Sequence, residues 1–202
     1  MPRDEHQAFY DRLAAEWDLM YTAEDLEMLQ FVVDKRLKAR PGMDVLDLGC
    51  GTGILFDLLR RKVGPSGSVT GVDFSLKMAA QAHRNFPFPN VAVVDADVTV
   101  LPFGNSAFDL AVVFSAFPHF ADQPRAIAEI HRVLRPSAGC FIIHLSSSKE
   151  VAERHRRIGG VVAGDMLPGA SEMRRMFENG RFTEVHIDDR RGLYVASGKN
   201  TK

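Results

Sequence analysis

Cysteine is scarce in this chain: two among 202 residues, Cys50 and Cys140. Neither has a C-x-x-C partner, which argues against a zinc site or a disulfide framework. The pair fits a reducing compartment, and a cytoplasmic location is the expectation. Long apolar runs are missing too. None approaches the ~18 residues of a membrane span, and the polar opening "MPRDEHQ" lacks the apolar stretch of a signal peptide. No charge sign dominates. The 25 Lys and Arg against 26 Asp and Glu leave a net charge of -1, so the totals predict neither a nucleic-acid footprint nor a membrane-surface patch, and no membrane insertion is expected. The seven histidines show no H-x-x-x-H spacing. His119, His144, His155 and Asp165 would converge only if their loop folded inward, and no metal is expected. There is no internal repeat and no low-complexity segment. Nothing in the sequence fixes an oligomeric state.

What is present is ordinary globular composition, 46% hydrophobic and 25% charged, at a length that suits one domain with a real core. From His6 to Lys38 the pattern is helical, with Phe9, Leu13 and Trp17 and then Leu26, Leu29 and Val33 at turn spacing. Pro41-Gly42 ends it. Short apolar runs then alternate with helical patterns. The strands are "MDVLDL", "SVTGVD", "VAVVDA", "FDLAVVF" and "GCFIIHL". Helices run from Ile54 to Val63, from Ser75 to Asn85 with Ser75 as cap, and from Asp122 to about Leu134 with Pro124 in the first turn. This alternation argues for a mostly parallel sheet with helices on both faces. At the end, a helix near Ser171 to Glu178 precedes "FTEVHID" and "LYVASG", separated by "DRRG". Strands so close must be antiparallel. The expected fold is therefore α/β: a doubly wound, mostly parallel seven-stranded sheet with an antiparallel C-terminal pair and an N-terminal helical cap.

The stretch "VLDLGCGTG", Val45 to Gly53, is where a ligand belongs, because the first strand-to-helix turn of such a sheet lies at its carboxyl edge. Spacing chooses among ligands. A dinucleotide fingerprint needs a glycine at position 54, which is Ile54. A phosphate loop would end in Gly-Lys-Ser/Thr, also absent. A nicotinamide-dependent oxidoreductase is thereby disfavoured. Asp73 ends the second strand, 20 residues beyond Gly53. A carboxylate there can accept from both hydroxyls of a ribose.

The run Asp47-Leu-Gly49-Cys-Gly51-Thr-Gly53 resembles the signature of class I, Rossmann-like S-adenosylmethionine-dependent methyltransferases. "GVDFSLKM", "DADVTVLPF" followed by "NSAFD", and "EIHRVLRPSAG" resemble that family's later segments, in the expected order. The likeness is closest to the small-molecule branch that includes quinone-biosynthesis enzymes. It departs at Pro136-Ser137-Ala138-Gly139, where a shorter Pro-Gly-Gly is commoner. The resemblance implies that S-adenosyl-L-methionine lies on Asp47, Gly49, Cys50, Gly51 and Gly53. Asp73 and Phe74 would hold the ribose, Met78 would pack on the adenine, and Asp97 would accept from the adenine amino group. The Val98 N–H would reach a ring nitrogen, and a Phe114 carbonyl would face the ammonium. Asp95 is the rival for Asp97. Tyr10, on the segment "FYDRLAAEWD", is the cap residue expected at the pocket. The implied division is a helical cap over 1–40, a cofactor-binding core over 41–145, a rim or lid segment over 146–169, and a C-terminal helix and strand pair over 170–202.

Methyl transfer from a sulfonium asks for alignment, water exclusion and, for some acceptors, a base. Histidine suits that task. His119 after the fourth strand, His144 at the end of the fifth and His155 in "AERHRRIGG" are the substrate-side candidates, each with a bland alternative: a loop-bonded, strand-ending or solvated surface histidine. The expected function is methylation of a small-molecule acceptor. The alternative is a cofactor-binding sensor or partner subunit without turnover. An Asn/Asp-Pro-Pro-Tyr/Phe segment for macromolecular amino groups is missing; "FSAF" stands in its place.

Overall fold

The computed structural model describes residues 3–202; Met1 and Pro2, the start of the cap interval, lie outside the described residues. Seven strands form one sheet: β1 (Asp44–Leu48), β2 (Ser68–Asp73), β3 (Val91–Asp95), β4 (Phe108–Phe114), β5 (Leu134–His144), β6 (Phe182–Arg190) and β7 (Leu193–Asn200). Their order is β3-β2-β1-β4-β5-β7-β6. All neighbours are parallel except β5 with β7 and β6 with β7, which are antiparallel. The chain thus winds outward from β1 to β3, then starts again on the other side at β4. The reversal point, where such sheets bind ligands, lies between the carboxyl ends of β1 and β4.

Alternation builds the two layers. Leu46, Val113 and Ile142 meet one buried cluster with Ile127 and Ile130 of α5 (Gln123–Val133) and Met173 and Phe177 of α7 (Ala170–Asn179). Val45, Val112 and Ile143 face the other, with Leu29 and Val33 of α2 (Ala23–Arg36) and Phe56 and Leu59 of α3 (Phe56–Val63). Central strands apolar on both faces require such double cover. A third cluster joins Tyr10 of α1 (Arg3–Leu13) to Met78 of α4 (Leu76–Asn85) and to Val162, in the turn after α6 (Ser148–Ile158).

Three sequence expectations are corrected here. The helical pattern from His6 to Lys38 is interrupted: α1 ends at Leu13, a single 3-10 turn spans Trp17–Met20, and α2 begins at Ala23. Thr22 supplies the restart, accepting from the Asp25 N–H while the Asp25 carboxylate accepts from the Thr22 N–H. The helix after the glycine turn begins at Phe56, not Ile54. The fifth strand begins at Leu134 rather than at Gly139. Its pairing jumps from Phe108↔Leu134 to Leu110↔Gly139, so the lengthened Pro136-Ser137-Ala138 segment is taken up as a bulge.

Candidate active site

The site grows from the turn after β1. The N–H groups of Gly49 and Cys50 both donate to the Val72 carbonyl, at 2.8 and 3.0 Å, which ties the turn to β2. Gly49 has φ +70, and a Cβ on it would stand 2.3 Å from the Ala116 Cβ. This glycine lets the β1 turn touch the turn after β4. Gly53, at φ +92, faces inward, and a Cβ there would come within 2.9 Å of Phe56 and Phe86.

Asp73 is 6% exposed. Its carboxylate accepts from the Gly51 N–H (2.8 Å) and the Ser75 N–H (2.9 Å). Burial pushes its pKa up to about 6, against the pull of those bonds. Ser75 caps α4 as its sequence position implied, accepting from the Met78 N–H. Asp47 sits behind the turn at 1% exposure, and neither carboxylate oxygen has a hydrogen-bond partner among the described residues. Burial, reinforced by Asp73, pushes its pKa to about 8. A buried carboxylate without a partner beside a second one is a site prepared for positive charge. Asp97 accepts from the Thr99 N–H and hydroxyl, both at 2.8 Å.

These groups open on one cavity of about 860 Å³. Ten of the twelve expected cofactor residues line it, all but Asp47 and Gly53. Gly53 packs against Phe56 and Phe86 instead, so its role is to turn the chain. Tyr10 is buried on the wall, edge-on to Phe9, Trp17, Phe74 and His119. The described residues contain no group of His, Cys, Asp and Glu arranged to hold a metal.

The three histidine candidates separate. His119 lines the cavity, and its Nδ1–H donates to Asp165 Oδ2 at 2.6 Å. His144 is not on the cavity wall. It is 2% exposed, both ring nitrogens lack partners among the described residues, and burial holds it neutral. It packs edge-on to Tyr194, so the rim position expected for it is wrong. His155 is not a solvated surface residue. It is 5% exposed, its Nδ1–H donates to the Asp165 carbonyl at 2.7 Å, and its ring lies 4.9 Å from that of His119. It supports the wall from behind.

Sequence reasoning missed His6 and Trp17 as cavity residues; Asp165, which it grouped with His119, His144 and His155 only as a metal set it set aside, does meet His119 and His155 at the wall. Trp17 continues the helical spacing of Phe9 and Leu13, which by itself points to core packing. In the fold, Thr52 donates a short hydrogen bond to Asp18 and draws the 3-10 turn over the glycines. The Trp17 ring then stands 3.3 Å from where a Gly51 Cβ would be. His6 and Asp165 are 159 positions apart, and their contact has no local signal. Residues 164–169 also line the cavity.

In fold, glycine turn and acidic partners the chain is similar to the class I, Rossmann-like S-adenosylmethionine-dependent methyltransferases. A family model described as a methyltransferase domain matches residues 45–137. The chain is 38% identical over 144 residues to a 2-phytyl-1,4-naphtoquinone methyltransferase of Nostoc sp., covering 68% of this chain and 63% of that one. It therefore spans less than two thirds of the length of that relative. It is 28% identical over 203 residues to a demethylmenaquinone methyltransferase of Staphylococcus aureus, covering 88% of this chain and 82% of the relative. Among solved structures, a methyltransferase of Thermotoga maritima described as a possible histamine N-methyltransferase superposes with a TM-score of 0.77 at 16% identity, over 95% and 98% of the two chains. That likeness speaks for the fold alone.

Proposed function

We propose that the chain binds S-adenosyl-L-methionine in this cavity and methylates a ring carbon of a small, neutral diphenol of the reduced naphthoquinone class. The observation that carries this reading is the composition of the wall. It combines Asp73, Asp97 and the glycine turn with Tyr10, Trp17, Phe120 and His119, and no lysine or arginine stands among the described residues that line it. A cofactor bearing a sulfonium and an ammonium matches the carboxylates. An acceptor with a carboxylate or phosphate of its own would meet no lysine or arginine among those lining residues, whereas a flat, neutral aromatic finds rings to pack on. The names of the relatives point to the same chemical class. A quinone carbon is electron-poor and does not attack a methyl group, so the reduced, diphenol form is the nucleophile.

Asp73 would hold the ribose hydroxyls, Asp97 and the Val98 N–H the adenine edge, and the Phe114 carbonyl and Asp47 would stabilise the ammonium. When bound, the cofactor supplies a methyl group already activated on sulfur. The chain's part is to align the acceptor with it and keep water out, and Tyr10 and Trp17 close that side. Two free, buried cysteines suit a reducing, cytoplasmic setting. No helix among the described residues is long and apolar enough to cross a membrane.

Calorimetry with S-adenosylhomocysteine tests the first half: micromolar binding is expected, lost in Asp73→Ala. A 2-alkyl-1,4-naphthoquinone kept reduced with dithionite tests the second. Binding of the cofactor product without turnover of such diphenols would leave the sensor reading in its place.

A further inference from the structure

Three histidines converge on one acidic residue at the cavity wall. The Asp165 carboxylate accepts from His119 Nδ1–H at 2.6 Å and from His6 Nε2–H at 3.1 and 3.2 Å on its two oxygens. The Asp165 carbonyl accepts from His155 Nδ1–H at 2.7 Å. Three separate elements meet here: α1 brings His6, the turn Phe117–His119 brings His119, and α6 brings His155. All four residues are at least half-buried, and Asp165 is 9% exposed. The carboxylate is thus oriented by two donors, and its backbone is held by a third. A surface loop has no need of such fixation, and a residue serving only to anchor the loop would not need to face the cavity, as Asp165 does.

We propose that Asp165 is a positioning residue for methyl transfer: it fixes His119 in the Nδ1–H tautomer, presents His119 Nε2 as the proton acceptor for the diphenol, and is itself held in place by His6 and His155. The assignment rests on the acceptor being an ionisable diphenol. A histidine's reacting nitrogen is set by the bond its other nitrogen makes. Burial pushes the His119 pKa below its ordinary value, while the Asp165 hydrogen bond and charge push back. His119 is therefore neutral near pH 7 and free to take a proton. The other groups facing it are His6 and Tyr10 from α1 and His155 from α6, with His144 behind. The histidines, when charged, oppose protonation of His119.

The step balances. The acceptor's O–H bond breaks, its proton goes to His119 Nε2, and the electron pair moves into the ring. The ring carbon forms a bond to the methyl group, and the pair of the broken C–S bond stays on sulfur. The same carbon then loses its hydrogen as a proton, the ring regains aromaticity, and the oxygen takes back the proton held on Nε2. One proton is released per methyl transferred.

The test uses the whole protein with S-adenosylhomocysteine bound and ¹⁵N-labelled histidine, the His119 signals being assigned with His119→Asn. The wild type is expected to show Nδ1–H. In Asp165→Asn, which keeps an acceptor but removes the charge, the His119 titration midpoint falls. With reduced 2-alkyl-1,4-naphthoquinone as the probe, Asp165→Asn lowers kcat by about 100-fold or more. Its acid limb moves to lower pH, KM and cofactor-product affinity stay within about twofold, and Asp165→Glu recovers part of the rate. An unchanged midpoint, or a wild-type Nε2–H tautomer, overturns the proposal. So does full activity in Asp165→Asn. Wild type inactive on the diphenol while the midpoint still moves would sink the acceptor assignment and retain Asp165 as the residue that fixes His119.

Discussion

At the scale of single residues, the glycine turn divides its labour. Gly51 gives an N–H to Asp73, whereas Gly49 and Gly53 make room for neighbours. Gly49→Ala brings a methyl carbon to 2.3 Å from the Ala116 Cβ at φ +70, and neither partner is a flexible chain end. Positive φ and overpacking each contribute on the order of 1–3 kcal/mol of strain. Urea denaturation should show Gly49→Ala destabilised by about 2 kcal/mol or more, with cofactor-product binding weakened because the β1 and β4 turns are pushed apart. A loss within about 0.5 kcal/mol would mean that the turn yields, and the close approach is then not what requires glycine. The places of Asp73 and Asp97 on the cavity wall were legible because each stands at or just beyond the end of an apolar strand at a fixed place in the order. Asp165 was not, since its meaning comes from His6 and His119, which lie far away in sequence.

At the scale of elements, the cap is fastened to the sheet by polar contacts at its two ends. The Asp11 carboxylate of α1 accepts from the Ser75 hydroxyl (2.5 Å) and from the Lys77 N–H (3.2 Å), so it sits at the N-terminus of α4. A carboxylate there answers both unpaired N–H groups and the helix dipole, contributing about 1 kcal/mol. Further along, Thr52 bonds Asp18 beneath Trp17. Asp11→Ala should therefore loosen the cap without melting the sheet. Hydrogen exchange is expected to quicken in residues 3–13 and stay unchanged in β1 and β4, while affinity for S-adenosylhomocysteine falls severalfold. Unchanged exchange in α1 would show that apolar packing of Tyr10, Met78 and Val162 alone holds it. The alternation of apolar runs revealed the strands, and the short "DRRG" spacing revealed the antiparallel pair. The break within the cap stayed hidden, because Trp17 keeps helical spacing while Asp18 is pulled out of the helix by Thr52, 34 residues away. The insertion at Pro136-Ser137-Ala138 was visible as an extra residue, but only pairing with β4 shows that it bulges from a strand.

At the scale of the whole molecule, the site sets the response to pH. Asp47 and Asp73 have folded pKa values of about 8 and about 6, raised above the ordinary 3.8 chiefly by burial. The folded chain therefore keeps protons that the unfolded chain has released. Stability from these two groups is complete below about pH 4 and falls as pH rises toward their folded values. For Asp73 alone the loss is up to about 3 kcal/mol between pH 4 and 7. A ligand that brings positive charge and ribose hydroxyls favours both ionised carboxylates, so it should bind with proton release, and more tightly as pH rises from 6 to 8. Calorimetry with S-adenosylmethionine in two buffers of different ionisation enthalpy reads that release directly. Thermal melting should show the ligand-free protein losing stability between pH 6 and 8 while the complex loses less. Asp47→Asn should flatten the ligand-free curve above pH 7, since it removes the charge that burial opposes. If binding takes up protons instead, or the Asp47→Asn curve keeps the wild-type slope, the buried pair is not the origin of the pH response.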